Sequence, residues 1–132
     1  MKATVQRAAL IFGVVFIVVA ILGFLASGSS MDPDPTNAPK ILGLFPMNLV
    51  HNGVHLGFGI WGLLASRVYE GARNFGRIGG ILYLILAAVG VAVPDGFGLV
   101  PLGGHDVWLH ALLGLALVVV GFSAKPVTAA AV

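Results

Sequence analysis

Two short stretches carry most of the side chains in this chain that could do chemistry: NLVHNGVHLGFG, residues 48 to 59, and DVWLHALLG, residues 106 to 114. On a helix that turns about 100° per residue, Asn48, His51, Asn52 and His55 fall within an arc of about 100°, and Gly59 and Gly62 continue the same stripe. Asp106 and His110 stand four apart and share a face, which Gly114 continues. His105 lies about 140° from His110 on that wheel and points elsewhere. If both stretches begin helices that run parallel, His55 and His110 sit roughly 10 Å and 8 Å below their helix starts. Asn48, His51, Asn52, His55, Asp106 and His110 are then expected to converge in one pocket, with Tyr83 reaching it from below.

Such a set has two uses. Asparagine, histidine and aspartate can hydrogen-bond across helices and hold them in register. Alternatively, His51, His55 and His110 can bind an ion, since imidazoles suit Zn²⁺ and Cu²⁺. Two of them on separate helices, His55 and His110, also suit haem iron. The four-residue His51/His55 spacing resembles helical two-histidine metal sites, but Asn52 stands where a metalloprotease carries its glutamate. No catalytic residue is assigned for that reason. A quinone-linked redox role for Tyr83 and the histidines is a further alternative. The chain has no cysteine, which removes disulfides, thiolate ligands and cysteine nucleophiles.

The elements that position these groups follow from composition. Of 132 residues, 58% are apolar and 9% charged, against about 25% charged in soluble domains. A soluble domain of this size could not bury so much apolar surface. Four runs lack any Lys, Arg, Asp or Glu: residues 8–31, 41–66, 78–94 and 107–124. A membrane-spanning helix takes about 20 residues, and the bilayer forces the backbone to satisfy its own hydrogen bonds. The expectation is an all-α fold, a single integral membrane domain over residues 1–132. Its four transmembrane helices lie near 6–27, 47–67, 75–93 and 105–123. Ala26, Ser27 and Gly28 resemble a signal-peptide cleavage site, but the apolar run before them is too long for one.

With four crossings, six of the seven basic residues fall on one side. Lys2, Arg7, Arg67, Arg73, Arg77 and Lys125 gather there, and only Lys40 lies opposite. The positive-inside rule places both termini in the cytoplasm, in a plasma (inner) membrane. The net charge of +2 thus reports orientation and gives no sign of a nucleic-acid partner. The lipid bilayer is the expected partner, with a second copy or a larger membrane complex beside it. The first outer loop, SGSSMDPDPTNAPK, is expected to be irregular, and its prolines spoil any calcium-loop pattern around Asp32 and Asp34. The second, PDGFGLVPLGG, is expected to lie at the interface or to cap the bundle.

Nineteen glycines fall on faces. Gly76 and Gly80 share a face of the third helix with Tyr83, Ala87 and Gly90; Gly53 and Gly57 share one of the second with Trp61. Small residues let transmembrane backbones approach closely. Gly53, Gly57, Gly59, Gly62, Gly76, Gly80 and Gly114 are therefore read as packing residues, and Gly53-xxx-Gly57 as a face for self-association.

The two boxes together resemble the signature of a family of small bacterial four-helix membrane proteins, domain of unknown function 4383. The matching positions are Phe45, Asn48, His51, Asn52 and His55, then Asp106, Leu109, His110 and Gly114; Gly53 and His105 depart from the pattern. The resemblance implies the fold and topology over essentially the whole chain, and no activity. The leading expectation is a structural or accessory membrane subunit without cofactor or catalysis, its polar side chains forming a network between the second and fourth helices.

Overall fold

The computed structural model describes residues 3–126; Lys2, one of the basic residues used above for orientation, lies outside them. Four helices dominate. They are α1 (Thr4–Ser27), α2 (Leu49–Ala65), α3 (Tyr69–Ala92) and α4 (His105–Ser123). Among the described residues, α1, α3 and α4 are long and apolar enough to cross a membrane. These are the spans of a membrane protein, and their outward faces carry exposed aliphatic side chains such as Ile11, Val18, Ile85 and Val119. Helix α2 is shorter, at 17 residues.

One helix boundary and one loop differ from the sequence expectation. Helix α3 begins at Tyr69, so Glu70 and Arg73 belong to a helix and only Ser66, Arg67 and Val68 connect it to α2. The chain then widens into one π-helical turn over Phe75–Gly79. Glycine permits this turn to lie against α4: a Cβ on Gly76 would sit 2.8 Å from Gly121 Cα. The first long loop is also more ordered than expected. Lys40–Ile41 and Phe45–Pro46 form a two-stranded antiparallel pair, β1 and β2. Its turn places Leu42 and Gly43 at φ 53° and 69°. That is a small departure from an all-helical fold. The carboxylates of Asp32 and Asp34 accept bonds from the backbone N–H of Asp34 and Thr36, at 2.9 and 2.8 Å, and so shape the turns.

The helices pair through glycine, but not in the pairing that the stripes invited. Gly59 and Gly62 of α2 meet Gly13 of α1: a Cβ on Gly62 would lie 2.8 Å from Gly13 Cα. Gly80 and Gly114 bring α3 against α4, where a Cβ on Gly114 would lie 2.9 Å from Leu84 N. The stripes of α2 and α4 therefore face α1 and α3 respectively, and the backbones of α2 and α4 do not touch. Gly53 and Gly57 do not pack within the chain: a Cβ on either meets nothing within 4 Å. Lipid-immersed helices gain no hydrophobic energy from each other, so backbone contact at small residues supplies the attraction.

At the far end from the histidines, arginines tie α3 to the last turn of α4. Arg77 Nε donates to Gly121 O at 3.0 Å, and Arg73 Nε donates to Ala124 O at 2.9 Å. Cationic donors suit carbonyls left free at a helix C-terminus, so these arginines hold structure besides marking an end of the bundle.

Candidate functional site

Helix α2 starts at the polar stretch because Asn48 caps it. Its side-chain oxygen accepts from His51 N at 2.9 Å, and its amide donates to Leu99 O at 2.8 Å and to Asp32 O at 3.4 Å. One buried side chain thus joins a helix start to both long loops. Helix α4 follows Gly104 at its N-cap, whose φ of 67° suits glycine. Asp106 then lies in the first turn, where the helix dipole favours a carboxylate.

The three histidines meet in the space between α2 and α4. Ring centroids are 4.6 Å apart for His51 and His55, 5.6 Å for His51 and His110, and 6.4 Å for His55 and His110. One ring nitrogen from each can be chosen so that all lie within 4.8 Å of one another. All three residues are buried. His51 Nδ1 stands 3.1 Å from Pro46 O. A carbonyl can only accept, so Nδ1 carries the proton and Nε2 keeps its lone pair. Asp106 Oδ2 lies 3.6 Å from the same Nδ1, beside that bond but beyond good hydrogen-bond length.

Six buried polar atoms in and around this group have no hydrogen-bond partner: His51 Nε2, His55 Nδ1, His110 Nδ1, Asp106 Oδ2, Tyr83 OH and Asn52 Oδ1. Buried polar groups in native proteins are normally paired. Tyr83 packs edge-on to His110 at 5.3 Å and stacks on Phe16 at 5.1 Å. Phe16 stacks in turn near His55 at 6.0 Å. A cavity of about 220 Å³ opens beside the cluster, with His51, His55, His110 and Tyr83 in its wall. The rest is apolar, from Val54, Leu86, Val89 and the loop residues Phe97, Leu99, Val100 and Leu102.

The expected pocket therefore divides. His51, His55, Asp106, His110 and Tyr83 come together. Asn48 is a cap and loop tie. Asn52 turns to the opposite neighbour, where its amide donates to Ser27 Oγ of α1 at 2.8 Å, and Ser27 Oγ donates to Gly23 O at 2.8 Å. His105 stays outside the cluster, accepting from Trp108 Nε1 at 3.0 Å. Phe16, Ser27 and Leu86 had not been expected near the site. They sit in uniformly apolar helices, whose pattern does not tell which residue meets which neighbour.

Chemically, three neutral imidazoles suit a borderline transition-metal ion, and the His51–Pro46 bond is the usual outer support for a ligating imidazole. A tetrahedral zinc site holds its nitrogens roughly 3.4 Å apart, so an ion would draw these rings slightly inward. Haem does not fit, because a cavity of about 220 Å³ is below even the roughly 300 Å³ of pockets for drug-sized ligands.

Comparison with known proteins adds one match. No curated protein and no solved structure matches the chain. The model of a family described as a domain of unknown function (DUF4383) matches residues 6–123, taking in all of α2, α3 and α4, both polar boxes and nearly all of α1. With its histidine cluster inside that match, this chain belongs to the family of domain of unknown function 4383.

Proposed function

We propose that this chain is a four-span protein of a plasma membrane, with cytoplasmic termini, that holds a divalent transition-metal ion on His51, His55 and His110 near the outer face. For the fourth span, the support is that α2 has 17 residues, at the lower end of the roughly 17–25 that cross a bilayer. For orientation, it is the gathering of Arg7, Arg67, Arg73, Arg77 and Lys125 on one side.

The observation that carries the metal reading is the convergence of three histidine nitrogens within 4.8 Å, while His51 Nε2, His55 Nδ1 and His110 Nδ1 lie buried without partners. An unmade bond on a buried polar group costs about 1–3 kcal/mol. A hydrogen-bonded network between α2 and α4 would have joined these atoms to each other. An ion held by the three converging nitrogens would take up imidazole lone pairs that such a network leaves unused. Three protein ligands leave a zinc-like ion one open position, and the cavity lies beside it. Asn52, which stands where a metalloprotease carries its glutamate, faces α1 instead. The structural reading keeps its own support in Asn48 and Asn52, whose bonds join α2 to both loops and to α1.

The test is metal analysis of protein purified in mild detergent, for the wild type, His55→Gln and His55→Leu. We expect about one equivalent of zinc or copper in the wild type and less than roughly a tenth in both variants, with wild-type melting lowered by a chelator, because bound metal stabilises the folded state. A wild type without metal above the buffer blank, together with a tolerated Gln and an inert chelator, would return the histidines to a structural network.

A further inference from the structure

The cavity beside the histidines is lined by unlike groups. His110 and Tyr83 are among its lining residues, and the Tyr83 hydroxyl is fully buried and has no hydrogen-bond partner. Away from these groups the wall is hydrocarbon. Val54, Phe97 and Leu99 line the cavity and are also 37%, 75% and 59% exposed. They therefore mark its mouth, between α2 and the loop that joins α3 to α4. Val54 lies about 8 Å along α2 from its start, so in the four-span reading this mouth meets the hydrocarbon edge of the outer leaflet. An apolar mouth at that depth disfavours charged, water-borne ligands and admits lipid-dissolved ones.

Size narrows the choice. An apolar cavity of about 150 Å³ takes a benzene ring, and the present one measures about 220 Å³. It has room for one substituted six-membered ring. A plain acyl chain would fill the volume but leave the Tyr83 hydroxyl unpaired. A ring bearing an oxygen at one end and a tail at the other satisfies both kinds of group, with the tail leaving through the mouth into lipid.

We infer that this cavity takes the head ring of a lipid-soluble quinone or its hydroquinone, with the ring against Leu86 and an oxygen at the Tyr83 hydroxyl. The inference rests on reading the histidine cluster as a ligand site, but the ion and the ring are measured separately.

The experiment places the full chain in lipid nanodiscs, with zinc added or stripped by chelator. It is titrated with a 1,4-benzoquinone carrying a short alkyl tail, and with the alcohol of the same tail as control. Bound quinone is read by absorbance after desalting, and zinc is assayed on the same samples. We expect saturable binding of about one quinone and none of the alcohol. Leu86→Phe, which fills the cavity, should weaken binding at least about tenfold, and Tyr83→Phe should weaken it roughly three- to tenfold, the scale of one lost hydrogen bond. If Leu86→Phe fails to fold, Val89→Phe fills the same wall. The inference is overturned by a wild type without saturable binding, by equal uptake of the alcohol, or by filling variants that bind normally. Zinc bound without quinone rejects the ring and keeps the ion; saturable quinone without zinc rejects the ion and keeps the ring.

Discussion

Asn48 and Asp106 show how single side chains at this end of the bundle take different tasks. Asn48 accepts from the start of α2 and donates to Leu99 O and Asp32 O. Asn48→Ala should therefore lower stability by about 1–3 kcal/mol, adding a lost cap to lost buried bonds. Asn48→Asp should recover the cap but not the donated bonds, and thermal melting in detergent would rank the three proteins. If the cluster holds a metal, Asp106 would act through His51, whose Nδ1 it approaches at 3.6 Å. Asp106→Asn should weaken metal binding about tenfold, as outer-shell changes do, with little change in melting of the metal-free protein. Chelator competition measures it, and unchanged affinity would remove Asp106 from the site. The grouping of His51 with His55, and of Asp106 with His110, was readable because residues four apart share a helix face. The departure of Asn52 was not. It lies about 100° round the helix from His51, far enough for the two to meet different neighbours once the helices cross.

At the scale of the helices, glycine position separates contact from exposure. A Cβ on Gly62 would lie 2.8 Å from Gly13 Cα, whereas one on Gly57 meets nothing within 4 Å. Gly62→Ala should cost about 1–3 kcal/mol through overpacking. Gly57→Ala should be neutral or slightly stabilising, because alanine is the better helix former by about 1 kcal/mol. Melting of the two variants in the same detergent checks this, and equal losses would mean that the α1–α2 contact is not the close one. Both glycines have the same sequence signature, a small residue in an apolar helix. Which of them touches a neighbour depends on how the helices are rotated about their axes, and the side opposite the histidines turned out to be open.

For the molecule as a whole, the four-span reading makes a labelling prediction. With cysteine introduced at Ser29 or Asn74, a membrane-impermeant probe should reach the first from outside in intact cells and the second only after the membrane is opened. The reverse pattern would move the histidine cluster to the cytoplasmic side and with it the source of any ion. The sequence by itself determined the membrane class, the helical content and the candidate ligand side chains, because these depend on composition and on the period of a single helix. It also carried the family signature. Tertiary structure alone decided that α2 pairs with α1, and α4 with α3, leaving a gap that three imidazoles and Tyr83 partly fill. The reason is physical: pairing between lipid-immersed helices is set by close backbone contact at small residues, and the many small faces of this chain are nearly alike until one arrangement packs them all.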